Sequence, residues 1–173
     1  LKIEKIDFVT ELKIDGIAVA LTYENGSLVR GATRGNGLVG EEITANLRAI
    51  RSIPLRFREG LPPPPLMEVR GEAYFPVSAF QRINDQRLER GESPFANPRN
   101  ATAGALRQLD PKASASRPLS FFAYAVGYVE GMGFPTQKVS LDRLAEWGFP
   151  VNPNSRQHSD IDEVIEFCSS WQE

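Results

Sequence analysis

A lysine with an acid two residues to either side sets the chemical question for this chain, in the run TELKIDGIAVALTYENG from Thr10 to Gly26. In an extended segment alternate side chains share a face, so Glu11, Lys13 and Asp15 point one way and Leu12 and Ile14 the other. Such a row is either a solvated sheet face or a preassembled site. Gly16 favours the site, because backbone that must approach a ligand closely often needs a glycine. A lysine attacks only as the free amine, a form that desolvation and nearby positive charge promote and a carboxylate opposes. Asp15 therefore suits orienting the amine, accepting its proton or helping to hold a metal. Arg34 and a divalent cation suit screening a phosphate.

The elements that must position these residues read as mixed. Ile17–Tyr23 and Leu28–Thr33 flank Asn25-Gly26, a pair that favours a type I′ hairpin. GATRGNGLVGEE then breaks the pattern with four glycines and delivers Arg34 just before a helix expected over EEITANLRAI. RSIPLRF reads as a short edge strand because of Pro54, LPPPP as a stiff connector, and LMEVRGEAYF as a strand. PVSAFQRINDQRLERG reads as a helix ending at Gly91, with Val77, Phe80, Ile83, Asn84 and Leu88 along one side. NPRNATAGALRQLDP joins a turn to a helix that stops before Pro111, and RPLSFFAYAVGYVEG is a buried aromatic strand. SLDRLAEWGFPV and SDIDEVIEFCSSW are two further helices, the second opening on a Ser/Asp cap. Strands and helices do not alternate as βαβ units would, so the expectation is α+β with mostly antiparallel sheets and flanking helices.

The 173 residues suffice for one domain with a core, and 41% hydrophobic with 24% charged content excludes a disordered chain. No apolar run is long enough for a membrane-spanning helix. One cysteine and one histidine, Cys168 and His158, exclude a disulfide framework or a multi-thiolate zinc site within this segment, and both read as structural or incidental. No residues stand out as metal ligands, so any metal is expected to be Mg²⁺ or Mn²⁺ carried with phosphates. The net charge of -2 argues against a generally basic binder, yet from Arg30 to Arg107 arginines outnumber acids, leaving room for an anion-binding face. RGNG lacks the spacing of either phosphate-binding glycine motif and reads as a turn.

Several segments together carry a resemblance: ELKIDG, LVRGATRGNGLVGEEITANLRAIRSIP, EVRGEAYF, FANPRNATAGALRQLDP and RPLSFFAYAVG. In this order and spacing they resemble the adenylation domain of the bacterial NAD-dependent DNA ligases, over nearly the whole chain. The resemblance implies the nucleotidyltransferase fold shared with mRNA capping enzymes. It implies that Lys13 attacks the α-phosphorus of NAD, holds AMP through a phosphoramide bond, and passes it to the 5′-phosphate of nicked duplex DNA. It implies Glu11 beside the adenine, Asp15 as a second catalytic residue, and Arg34 near the nucleotide. Glu72 in VRGE would take the ribose hydroxyl, and Arg99 and Arg107 would take phosphates, a task that the guanidinium fork suits.

By the same resemblance the chain is expected to be an incomplete adenylation domain of a monomeric, cytoplasmic, nucleoid-associated enzyme of replication and repair. The family's nicotinamide-mononucleotide-recognising domain would precede it. Two strands with phosphate-binding lysines, an OB-fold, a zinc finger, helix-hairpin-helix repeats and a BRCT module would follow. The expectation is that these 173 residues alone neither seal nicks nor load AMP efficiently. Two alternatives stay open: an ATP-dependent ligase or capping-type enzyme, since K-x-D-G is shared, and a non-catalytic DNA- or partner-binding module of the same fold.

Overall fold

The computed structural model describes residues 6–37 and 39–171. After β1 (Phe8–Thr10), strands β2 (Ile17–Glu24) and β3 (Ser27–Thr33) turn on Asn25 and Gly26, whose φ values are 46° and 75°. Positive φ at both central residues is what a type I′ hairpin requires, as the sequence predicts. β4 (Leu66–Tyr74) pairs with β2, and β5 (Ser120–Val129) pairs with β4, giving a sheet in the order β3-β2-β4-β5. Its register sets Ala18 opposite Glu72, and Glu72 opposite Phe122. A second sheet joins β1 to β6 (Arg156–His158). Every named strand pair is antiparallel and helices flank them, so the α+β expectation holds.

The helices are shorter than the sequence suggests at two places. α1 spans only Thr44–Arg48; Glu41 and Glu42 precede it, and Glu42 bridges to Ala32 instead of opening the helix. α2 (Val77–Glu89) is closed by Arg90 and then Gly91, with φ of 72°, but it buries Ala79 and Ile83 and leaves Val77 and Leu88 71% and 59% exposed. The apolar stripe is thus narrower than the five residues read from the sequence. α3 (Pro98–Leu106) stops well before Pro111, which opens α4 (Pro111–Ala115) as a first-turn proline behind an Asp110 cap. α5 (Gln137–Glu146) and α6 (Ile161–Ser169) are capped by Thr136 and Asp160, the latter at the expected place.

RSIPLRF forms no strand: it makes one isolated bridge, Ser27 to Arg56. Pro54 has no N–H to offer a ladder, and its carbonyl accepts the Tyr23 hydroxyl at 2.7 Å. The segment is held instead by Leu28 N–H donating to Leu55 and Phe57 N–H donating to Gly26.

Alternation along the strands builds the core. Val19, Leu21 and Tyr23 of β2, Met67, Val69 and Ala73 of β4, and Phe121 and Ala123 of β5 are all buried on one side of the sheet. Tyr23, Phe57, Trp147 and Phe149 close one end, with ring centroids 5.0–5.4 Å apart in four pairs. β5 is not a uniformly buried aromatic strand. Phe121 faces the core, Phe122 and Tyr124 are half-buried on the other side, and Tyr128 is exposed. Gly71 of β4 sits under the Phe121 ring with no room for a Cβ. We expect Gly71→Ala to force the ring or strand aside and to cost about 1–3 kcal/mol in urea unfolding.

Candidate nucleotide site

Lys13 does not stand on a strand. Residues 11–15 run between β1 and β2 without ladder pairing, yet exposure still alternates: Glu11, Lys13 and Asp15 are exposed, Leu12 and Ile14 half-buried. The row inferred from the sequence therefore survives without the sheet. Gly16 ends the run, buried against β4 so closely that a Cβ would collide with the Ala73 carbonyl oxygen. Its small size admits a neighbouring strand, not a ligand as the sequence suggests. The Gly16 N–H donates to Glu72 Oε1 at 3.2 Å, tying the lysine segment to the next strand's carboxylate.

One cleft of about 380 Å³ gathers Glu11, Lys13, Arg34, Glu72 and Arg99. Phe122, Tyr124 and the buried Asn152 complete its wall. Arg34 follows β3 and is placed by its own N–H, which donates to Ala18 at 2.9 Å. The loop behind it folds back on itself: Thr33 N–H donates to Glu41, and Gly37 N–H to Arg34. RGNG is a turn, as read. Arg99 lies in the first turn of α3, behind the Asn97 side chain that caps Asn100 N–H at 2.8 Å. Arg107 caps the other end of that helix and lines a smaller adjoining hollow of about 160 Å³, shared with Arg34 and Arg99. It also pairs with Glu41 at 3.5 Å. Asp15 lines neither hollow.

The two cleft carboxyls are pushed above their ordinary range by partial burial. For Glu72, burial outweighs the opposing Gly16 hydrogen bond and the charges of Lys13, Arg99 and Arg34. For Glu11 it outweighs a 2.9 Å hydrogen bond donated by Gln137. The same Gln137 amide donates to the Tyr124 carbonyl at 2.7 Å, so the start of α5 clamps Glu11 to β5. Burial, with the nearby Glu72 charge, also raises the Tyr124 hydroxyl. The cleft thus pairs cations suited to phosphate oxygens with acids suited to hydroxyl or amine donors, beside two aromatic side chains. Among the described residues no three His, Cys, Asp or Glu are grouped to hold a metal. Buried His158 instead shares a 2.9 Å hydrogen bond with Thr10.

A family model described as the NAD-dependent DNA ligase adenylation domain matches residues 1–173. The chain belongs to that family. It is 56% identical over 98% of its length to the DNA ligase of Carboxydothermus hydrogenoformans, and 56% identical over 98% to that of Desulforamulus reducens. It is 55% identical over 94% of its length to the DNA ligase of Geobacter sulfurreducens. The chain spans about a quarter of each relative's length: 25%, 25% and 24%. No helix among the described residues is long and apolar enough to cross a membrane.

Within this adenylation domain the sequence does not point to Asn152, Phe122 or Tyr124 as cleft residues, nor to Gln137 as the residue that clamps Glu11. The two aromatics were noticed but assigned to a buried strand; period-two alternation with Phe121 was the available signal. Gln137 and Asn152 carry no local signal, because only tertiary folding brings Asn152 to the cleft and Gln137 to Glu11.

Because burial raises Glu72 from its ordinary 4.5, the folded chain holds that proton more tightly than the unfolded chain. Its contribution to stability is fullest below 4.5, declines as pH climbs through the raised value, and is level above it. Glu72→Gln removes that decline. We expect it to raise Tm by about 1–2 °C at neutral pH, small because solvent screens a half-exposed carboxyl, with little difference near pH 4. Paired thermal melts of the two proteins across pH measure this.

Proposed function

We propose that this chain is the nucleotide-loading part of a DNA ligase that uses NAD as its AMP donor and seals nicks in duplex DNA, on a nucleotidyltransferase fold. The observation that carries the reading is the convergence of Lys13 with Glu11, Glu72, Arg34 and Arg99 around one cleft. The family match over the whole chain supports it.

Lys13 Nζ forms a P–N bond to the α-phosphorus of NAD while the P–O bond to nicotinamide mononucleotide breaks, and the amine gives up a proton. The second step breaks the P–N bond as a 5′-phosphate oxygen at the nick takes the AMP, and Lys13 regains its proton. The 3′-hydroxyl then attacks that 5′-phosphorus and AMP leaves. All three steps are phosphoryl transfers, in which positioning and charge neutralisation supply most of the catalysis. Glu72 accepts a ribose hydroxyl and Glu11 lies beside the base, where Phe122 and Tyr124 offer apolar surface. Arg34 and Arg99 hold phosphate oxygens in the cleft, and Arg107 extends the cationic lane beyond it. Asp15, on the same side of the chain as Lys13, orients the amine or takes its proton. Mg²⁺ or Mn²⁺, entering with phosphate oxygens as its main ligands, neutralises charge when bound. The setting that follows is replication and repair in the bacterial cytoplasm, with the enzyme working as a monomer on nicked DNA.

Incubation with adenylate-labelled NAD and Mg²⁺ tests the reading, on this chain and on a polypeptide extended to its relatives' length. The extended protein is expected to carry one labelled AMP on Lys13, and none after Lys13→Ala. Arg99→Ala is expected to slow nick sealing about 10–100-fold, the loss of one or two charge-assisted hydrogen bonds. Labelling from ATP but not from NAD would overturn the proposal in favour of the ATP-dependent class.

A further inference from the structure

The nucleotide cleft contains one enclosed polar side chain with half of its hydrogen-bonding capacity unused. Asn152 lines the cleft and is 8% exposed. Its Oδ1 accepts the Asn154 N–H at 2.9 Å, which assigns the two ends of the amide, since a backbone donor needs the oxygen. Its Nδ2 donates to nothing among the described residues, and it is not one of the side-chain atoms sealed from solvent without a partner. In a residue otherwise enclosed, that nitrogen is the open end, and the space it opens on is the cleft. Buried amide donors without partners are uncommon in folded proteins, so this unused pair of N–H groups points to an acceptor on a ligand.

The amide is held by its surroundings. The Pro150 carbonyl accepts the Ala123 N–H at 2.8 Å and Val151 bridges to Ala123, so this segment runs along the free edge of β5. The Ser155 N–H donates to the Asn152 carbonyl at 3.1 Å and, with the Asn154 bond, closes a turn around the side chain. A donor fixed before binding loses little freedom when it engages. One residue along the same strand, the Tyr124 carbonyl accepts from the Gln137 amide, which also donates to Glu11 Oε2. Glu11 Oε1 has no partner among the described residues. Neighbouring residues of β5 thus anchor a fixed donor, Asn152, and a fixed acceptor, Glu11.

The other side of the cleft is the cationic one. Arg34 and Arg99 are shared with the adjoining hollow beside Ile17 and Ala18 of β2. From there the row Ala18, Glu72, Phe122 crosses the sheet to β5. A nucleotide laid along that row, with its phosphate at the arginines and its ribose at Glu72, brings its base to Phe122, Tyr124, Asn152 and Glu11. Adenine presents an amino donor flanked by ring-nitrogen acceptors, N1 and N7, whereas guanine and hypoxanthine present a carbonyl oxygen where that amino group stands. A carboxylate oxygen beside an amide N–H matches the first pattern and opposes the second. We infer that Asn152 donates to a ring nitrogen flanking the amino group of adenine while Glu11 accepts from that amino group, so that the pair selects adenine as the base. The inference rests on the nucleotide reading of the cleft and deepens it by naming what discriminates the base.

The test is calorimetry with this chain and AMP, IMP, 1-deaza-AMP and 7-deaza-AMP. IMP, whose base is hypoxanthine, is expected to bind about tenfold or more weakly than AMP. Of the two deaza nucleotides, the one lacking the contacted nitrogen is expected to bind about tenfold more weakly than AMP. Asn152→Asp keeps the oxygen that the Asn154 N–H needs and replaces the donor by an acceptor. In N152D the deaza gap should therefore close or reverse, while any general effect of the added charge weakens all four nucleotides together. Equal binding of AMP and both deaza nucleotides by the unmodified chain would overturn the inference without recourse to a variant. So would equal binding of IMP, or the same deaza gap in N152D. Failure of the unmodified chain to bind AMP counts against the nucleotide reading of the cleft and takes the inference with it. AMP binding that is indifferent to the base leaves the cleft standing and removes Asn152 from it. Labelling of Lys13 from ATP in place of NAD overturns the NAD reading and leaves this inference intact, because both donors carry the same adenylate.

Discussion

The backbone of Gly16 meets the backbone of Ala73 so closely that no side chain fits between them. That contact fixes the height at which the unladdered lysine segment enters the main sheet. Because Gly16 also donates to Glu72, the segment's position and the carboxylate's orientation are set by the same few atoms. The rest of the cleft follows from sheet register: Ala18, Glu72 and Phe122 lie in one cross-strand row, and Arg34 is hung from the Ala18 carbonyl. An irregular segment is thereby placed against the sheet without a ladder of its own.

How far the sequence discloses this depends on how local each cause is. The Asn25-Gly26 turn, the Asp160 cap and the Gly91 terminus are legible because their conformational demands act within a few residues. Glu11, Lys13, Glu72, Arg34 and Arg99 were gathered by motif resemblance, and the fold does bring them to one cleft. RSIPLRF misled because its alternation looks like a strand, while its real anchors are a tyrosine hydroxyl and a hairpin turn elsewhere in the chain. The stripe on α2 was overread because helical spacing shows which side chains share a face, not how many the neighbouring elements cover. β6 was not foreseen at all, since a three-residue strand containing a buried histidine has no periodicity to detect.

The cleft and the aromatic end of the core are mechanically joined. Trp147 and Phe149 belong to the aromatic end of the core, whereas Asn152 lines the cleft, with the Pro150 carbonyl bonded to Ala123 N–H between them. A short stretch of chain therefore stacks on the aromatic end of the core and also supplies a wall of the site. The raised Glu11 and Glu72 carboxyls record the local cost of that arrangement: two acids are held where partial dehydration disfavours their charge.

The Gln137 clamp on Glu11 spans 126 residues of sequence. During synthesis at about 5–20 residues per second, Glu11 is made about 6–25 s before the helix that secures it. Throughout that interval Glu11 exists without Gln137, so the order of translation sets when this contact can form. The segment around Glu11 is in this sense anchored late, by a residue made long after it.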